Sequence, residues 1–143
     1  MNHVAIMKKS WGLIPKIVSG KKTIESRWYL NKSAPWNKIT KGDSLYFKNS
    51  GEPIKLKTKI TKVIQFSNLT QKRVKEILNK YGDDDGIELE KIEEFFERFK
   101  NKKYCVLIFV TKPTFIRPFD INKSGFGSMS AWITVPNISK IKK

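Results

Sequence analysis

The sequence predicts an α+β fold that is mainly β: about six or seven short strands in a mixed barrel, with helices inserted near residues 11–19, 70–81 and 87–100. Three observations carry that reading. Residues 54–66 alternate, with Ile54, Leu56, Thr58 and Ile60 on one face and Lys55, Lys57, Lys59 and Thr61 on the other, the period of a half-buried strand. Residues 104–110 carry no charge and read as a central strand buried on both sides. Two segments then switch period: Val74, Ile77, Leu78 and Tyr81, and further on Leu89, Ile92, Phe96 and Phe99, recur at helical spacing and form apolar stripes.

The remaining elements follow in chain order. Residues 3–7 read as a first strand and residues 11–19 as a short helix, with Pro15 in its first turn and Gly20 beyond its end. Residues 23–29 become extended, a loop around Ala34, Pro35 and Trp36 leads to the turn Lys41-Gly42-Asp43, and a strand covers 44–48. Thr70 is placed to cap the second helix and Gly82 to end it. Asp83 and Asp85 have a calcium-loop spacing, but the bidentate glutamate and further oxygen ligands are missing, so residues 83–86 read as a solvated turn. Residues 115–120 and 131–135 are short strands on either side of the glycine-rich turn 122–127. So many short strands favour a closed sheet, because open edges invite aggregation. No repeat, low-complexity tract or linker divides the chain, and 1–143 reads as one domain.

Composition narrows the function. Cys105 and His3 are the only cysteine and histidine, so neither a disulfide framework nor a Cys/His zinc cluster can be built, and no metal or cofactor is expected. Cys105, inside an apolar strand, reads as a small buried side chain. No apolar run approaches the ~20 residues of a membrane span and the first ten residues lack a signal-peptide core, which predicts a cytoplasmic protein, more readily a monomer, with no membrane partner. The formal charge is +16, and it is uneven: residues 1–75 hold 17 basic and 3 acidic side chains, 76–100 hold 4 and 9, and 101–143 hold 8 and 1. A cationic surface attracts polyanions through counterion release, although lysine-rich solubilising surface gives the same numbers. The lysine ladder of 54–66 likewise reads either as edge protection or as phosphate contact.

The segment Gly20 to Arg27 concentrates the chemistry. With side-chain period two, Glu25, Arg27 and Tyr29 share a face, Ile24, Ser26 and Trp28 take the other, and Lys22 precedes them in the turn. On residues alone this is either an exposed ion-paired strand or a compact charged site in which Glu25 holds two cations. The spacing Gly20-x-Lys22-x-x-Glu25-x-Arg27 resembles the G-x-K-x-x-E-x-R motif of the ASCH family, a branch of the PUA-like superfamily with RNA-binding members. The preceding helix, the Lys41-Gly42-Asp43 turn with its strand, and the long strand 54–66 follow in that family's order, so the resemblance covers most of the chain.

The resemblance implies a PUA-like barrel with a cleft between barrel and helices, lined by the motif and used for nucleic acid, RNA before DNA, or for a modified nucleoside. Some small members of that family are amidohydrolases acting on N4-acetylcytidine through a motif lysine, a threonine nucleophile and a nearby arginine. Lys22 and Arg27 match, but Glu25 stands at the threonine position, and a carboxylate lacks the hydroxyl an acyl-enzyme needs. Other members are ribonucleases, for which Lys22, Glu25 and Arg27 would be the catalytic set. The leading expectation is a binding module whose basic face, with Lys21, Lys48 and Lys123 among its nucleic-acid contacts, grips phosphates while Lys22, Glu25 and Arg27 with the aromatics Tyr29, Trp11 and Trp36 hold one exposed base. The aromatics also have a plain reading as packing, and the loop around Lys123 as an ordinary turn.

Overall fold

The computed structural model describes residues 1–127 and 129–143. In chain order the elements are β1 (Asn2–Met7), α1 (Leu13–Ser19), β2 (Ile24–Tyr29), β3 (Ser44–Asn49), β4 (Ile54–Phe66), α2 (Gln71–Tyr81), α3 (Ile92–Phe99), β5 (Tyr104–Val110), β6 (Thr114–Phe119) and β7 (Trp132–Val135). All seven strands join one mixed sheet of neighbour order β2-β5-β4-β3-β1-β7, and β6 pairs with β4 beside that path. The mainly β α+β architecture is the one the periodicities predict, with no helix among the described residues long and apolar enough to cross a membrane.

β4 holds this sheet together because its 13 residues serve different partners along their length. Its first part pairs with β3 and β6, its second part with β5, and a register shift falls between Ile60 and Lys62. An irregularity of that kind bends a strand, so a single strand can turn from one wall to the next. β5 runs antiparallel between β2 and β4, and its alternation explains its lack of charge. Val106 and Ile108 enter one core with Ala5, Leu45, Phe47 and Leu56. Cys105 and Leu107 enter a second, with Ile24, Trp28, Val74 and Leu78 under α2 and α3.

Three expectations need correction in detail. The sheet is not closed: β2 and β7 end the strand path and share no ladder among the described residues. The helix expected over 11–19 is divided by Gly12, whose φ of 64° separates a short 3-10 turn, Lys9–Trp11, from α1. Leu89 is 88% exposed, since residues 89–91 form a 3-10 turn and the apolar stripe begins only at Ile92. Gly82 follows α2 as expected but stays right-handed at φ −57°. It is glycine for packing: a Cβ there would collide with the backbone carbonyl oxygen of Leu78 and lie 2.7 Å from Ile92 Cδ1.

His3 ties β1 to its neighbours and has no exposed surface. Its Nε2 lies 2.8 Å from Asp43 Oδ2, and its Nδ1 lies 2.9 Å from Thr134 Oγ1 and 3.3 Å from Trp132 Nε1. An indole N–H only donates, so Nδ1 accepts and the neutral ring gives its proton from Nε2 to Asp43. Burial lowers the His3 pKa from 6.5 despite the opposing pull of Asp43. Burial pushes the Asp43 carboxyl up, but hydrogen bonds from His3 and the Thr40 N–H leave it below its ordinary value.

Both groups bind fewer protons folded than unfolded, so their contribution to stability is complete at neutral pH and declines with acid. Thermal melts should show stability falling below about pH 6.5, where the unfolded histidine protonates, and falling further below about pH 4. A His3→Gln variant, whatever its absolute stability, should have no slope between pH 7 and 5 from this source. An undiminished slope in that variant would assign the transition elsewhere.

Candidate functional site

The site begins where α1 stops. Gly20 at φ 83° caps the helix through its N–H to Ile17 O, and the chain reverses into β2. Lys22 then forms an isolated antiparallel bridge with Asp85, while the N–H groups of Thr23 and Ile24 donate to Asp84 O at 2.7 and 3.0 Å. The expectation of a solvated acidic turn fails at Asp85, which is buried against the motif; Asp83 and Asp84 remain exposed. Long-range backbone pairing draws the turn inward, which local sequence does not reveal.

The Lys22 ammonium is itself buried and fully engaged. It donates to Ile24 O and Asp85 O, each at 2.8 Å, and to Asp85 Oδ1, with Glu25 Oε1 at 3.6 Å. Burial opposes its charge, but the carboxylates of Asp85 and Glu25 outweigh burial and raise its pKa. Lys22 is therefore a structural cation with no lone pair to accept a proton near neutrality. Burial pushes the Asp85 carboxyl up; Lys22 opposes that shift and Glu25 adds to it. Asp85 Oδ2 accepts the Ser26 hydroxyl at 2.6 Å, and Ser26 Oγ accepts Trp28 Nε1 at 3.1 Å.

Glu25 sits between the two cations without a short bond to either. Its Oε1 accepts the Ser26 N–H at 3.1 Å, whereas Oε2 is 3.9 Å from Arg27 Nη2 and has no hydrogen-bond partner among the described residues. Arg27 Nη1 donates to Ala131 O at 3.2 Å, and its guanidinium lies 5.1 Å from the centre of the Trp132 ring. Ala131 O also accepts the Ile6 N–H at 2.9 Å, so one carbonyl joins β1 to the β2 side chain across the open seam.

A cavity of about 470 Å³ occupies this seam, lined by Lys22, Glu25, Ser26, Arg27, Tyr29 and Asp85 together with residues from the start of α1 and from α3. Trp28 backs it, stacked on Phe99 with ring centres 4.8 Å apart. Tyr29 is fixed by its hydroxyl donating to Ala34 O at 2.7 Å. Trp11 stands at the mouth, 50% exposed, with Lys8 Nζ 5.4 Å and Arg98 Cζ 5.5 Å from its ring. Six cations and four carboxylates line the space, the cations beyond Lys22 and Arg27 being Lys8, Lys16, Lys91 and Arg98.

Of the residues singled out in sequence, Lys22, Glu25, Arg27, Tyr29 and Trp11 meet at this cavity. The others lie outside its lining. Lys21 is exposed on the turn. Trp36 packs edge-on against Tyr104, 5.1 Å between centres, beside the core that Val106 and Ile108 enter. Lys48 and Lys123 belong to a different neighbourhood, where burial and the charges of Lys123 and Lys143 lower the Lys48 pKa while Asp120 opposes them. Sequence reasoning missed Asp85, Ser26 and Arg98. Ser26 is legible as a polar residue between Ile24 and Trp28, at a position an all-core face would leave apolar; Asp85 and Arg98 carry no local signal.

Removing one partner of a buried ion pair strands the other charge. Asp85→Ala should therefore lower unfolding free energy in urea by about 3 kcal/mol or more, while replacing both partners, Lys22→Met with Asp85→Leu, should cost much less. A raised lysine pKa stabilises fully below the unfolded value of about 10.4 and ceases to do so as pH climbs through the folded one. Stability lost above about pH 10.4 should thus be smaller in the double variant than in the parent.

No protein-family model matches the chain, and no curated protein matches it. Solved structures do. The ASCH protein from Zymomonas mobilis superposes with a TM-score of 0.65 at 13% identity, covering 99% of this chain and 96% of that one. A point mutant of the same protein gives 0.66 at 14% identity over 97% and 93%. The hypothetical protein PH0355 gives 0.56 at 24% identity over 80% of this chain and 100% of that one. At such identities the likeness speaks for the backbone, and it spans nearly the whole chain: the protein has the α+β fold of the ASCH structures.

Proposed function

We propose that the protein is a single-domain RNA-binding module that grips phosphates on its basic surface and holds one base or nucleoside in the seam cavity. One observation carries the reading: Lys22, Glu25 and Arg27 converge on a space of about 470 Å³ whose mouth presents a half-exposed indole between two cations. That volume lies within the range of small-ligand sites. An aromatic face beside cations suits an unstacked base, and the net charge of +16 supplies the polyanion attraction. The resemblance of the motif and the PUA-like fold support RNA over DNA.

A hydrolytic reading of the same cavity has one observation in its favour. The Ser26 hydroxyl lines the cavity and donates to Asp85 Oδ2 at 2.6 Å, the geometry of a hydroxyl beside its base, and burial pushes the Asp85 carboxyl up. In that reading Ser26 and Asp85 carry the chemistry and Lys22 positions Asp85, since its own N–H groups are spent.

Fluorescence anisotropy with single-stranded RNA and duplex DNA over a salt series tests binding, with N4-acetylcytidine turnover measured in parallel. Affinity for single-stranded RNA should exceed that for duplex DNA and fall steeply with salt. Trp11→Ala should weaken it about tenfold, the scale of one lost stacked base. A flat salt response would refute phosphate gripping, and turnover abolished by Ser26→Ala would favour the hydrolase.

A further inference from the structure

We infer that the cavity floor reads the hydrogen-bonding edge of an unpaired nucleobase through an acceptor and donor side by side, Glu25 Oε2 and Arg27 Nη2, and excludes phosphate there. The inference rests on the base-holding reading above and specifies what that site recognises.

Glu25 is 5% exposed, yet its Oε2 has no hydrogen-bond partner among the described residues. An unpaired buried carboxylate oxygen is costly, so a donor is called for. The neighbouring protein groups do not provide one. Lys22 gives its N–H groups to Ile24 O, Asp85 O and Asp85 Oδ1 and lies nearer the other oxygen, at 3.6 Å from Oε1. The Ser26 N–H is taken by Oε1. Arg27 Nη2, at 3.9 Å, is beyond hydrogen-bond length, and the guanidinium is held by Ala131 O through Nη1 and by the Trp132 ring. Both side chains line the cavity, so the missing donor fits on its occupant.

A phosphate brings only acceptors and negative charge, which the Glu25 carboxylate repels. The edge of each nucleobase offers an N–H beside a carbonyl or ring nitrogen, which matches Oε2 and Nη2 together. Pairing in a duplex uses that same edge, so the occupant is an unpaired nucleotide, with its phosphates left to the cations at the mouth.

NMR titration with cytidine against N4,N4-dimethylcytidine, and uridine against N3-methyluridine, isolates the donor. Each methylated nucleoside should bind at least about tenfold more weakly than its parent, the scale of one lost charge-assisted hydrogen bond. In Glu25→Leu, with its fold verified by its melting curve, the preference should shrink to within about threefold. Equal binding of methylated and parent nucleosides would overturn the edge-reading and leave base holding intact. A preference that persists in Glu25→Leu would mark mere steric exclusion and also overturn it. If no nucleoside binds while tripolyphosphate shifts the cavity resonances, the base-holding reading fails as well.

Discussion

A lysine ammonium taken out of water has to be enclosed by acceptors, and Lys22 meets that demand with oxygens from β2 and from the turn after α2. The demand fixes more than one side chain. Because Asp85 contributes both its carbonyl and its carboxylate, the turn can sit in only one place relative to β2. The approach is close: Gly86 takes the left-handed φ of 80° that strains any side chain, and a Cβ there would press on Lys22 Cβ at 3.2 Å. With the turn fixed, α2 and α3 are docked over Ile24, Trp28 and Leu107, and the wall of the cavity follows. An ionic contact thus sets the position of an apolar layer.

The open seam is the second constraint. A free strand edge is ordinarily a liability, and barrels remove it by closing. Here β2 leaves its outer edge without a strand partner among the described residues, and side chains cover the gap: Arg27 reaches Ala131 O, and Trp28 stacks on Phe99 of α3. A gap closed by backbone ladder would be featureless, since the ladder consumes every N–H and C=O along it. One closed by side chains presents charge and aromatic surface in whatever pattern the sequence places there. In this protein the pattern is the motif of β2.

The elements were legible because each has a period that local chemistry enforces: Ile54 to Ile60 alternate over a half-buried wall, Val74 to Leu78 repeat over a core, and Gly20 marks a helix end at φ 83°. The motif residues were legible as a cluster, since one strand and the turn before it carry them. What sequence did not reveal depends on distant partners. Asp85 looked like one more acid in a polar turn until its backbone met Lys22, 63 positions away. Trp36 looked loop-exposed beside a proline but found Tyr104. Leu89 fell out of register because three residues wound as a 3-10 turn. In each case the local pattern was sound and a long-range or helical-pitch choice decided the outcome.

The distribution of charge then separates two kinds of interaction. Within the cavity floor Lys22 and Arg27 face Glu25 and Asp85, so the floor is close to neutral although the chain carries +16. Buried pairs of this sort feel little of the surrounding salt, whereas the exposed cations at Lys8 and Arg98 are screened within a Debye length of roughly 8 Å at physiological ionic strength. On the proposed reading, attraction of a polyanion is a property of the whole surface and weakens with salt. Discrimination belongs to a few fixed atoms at the floor and does not. A uniformly basic pocket would bind any phosphate that entered it; placing a carboxylate with an open oxygen at the bottom makes anion capture and base recognition distinct steps at distinct depths.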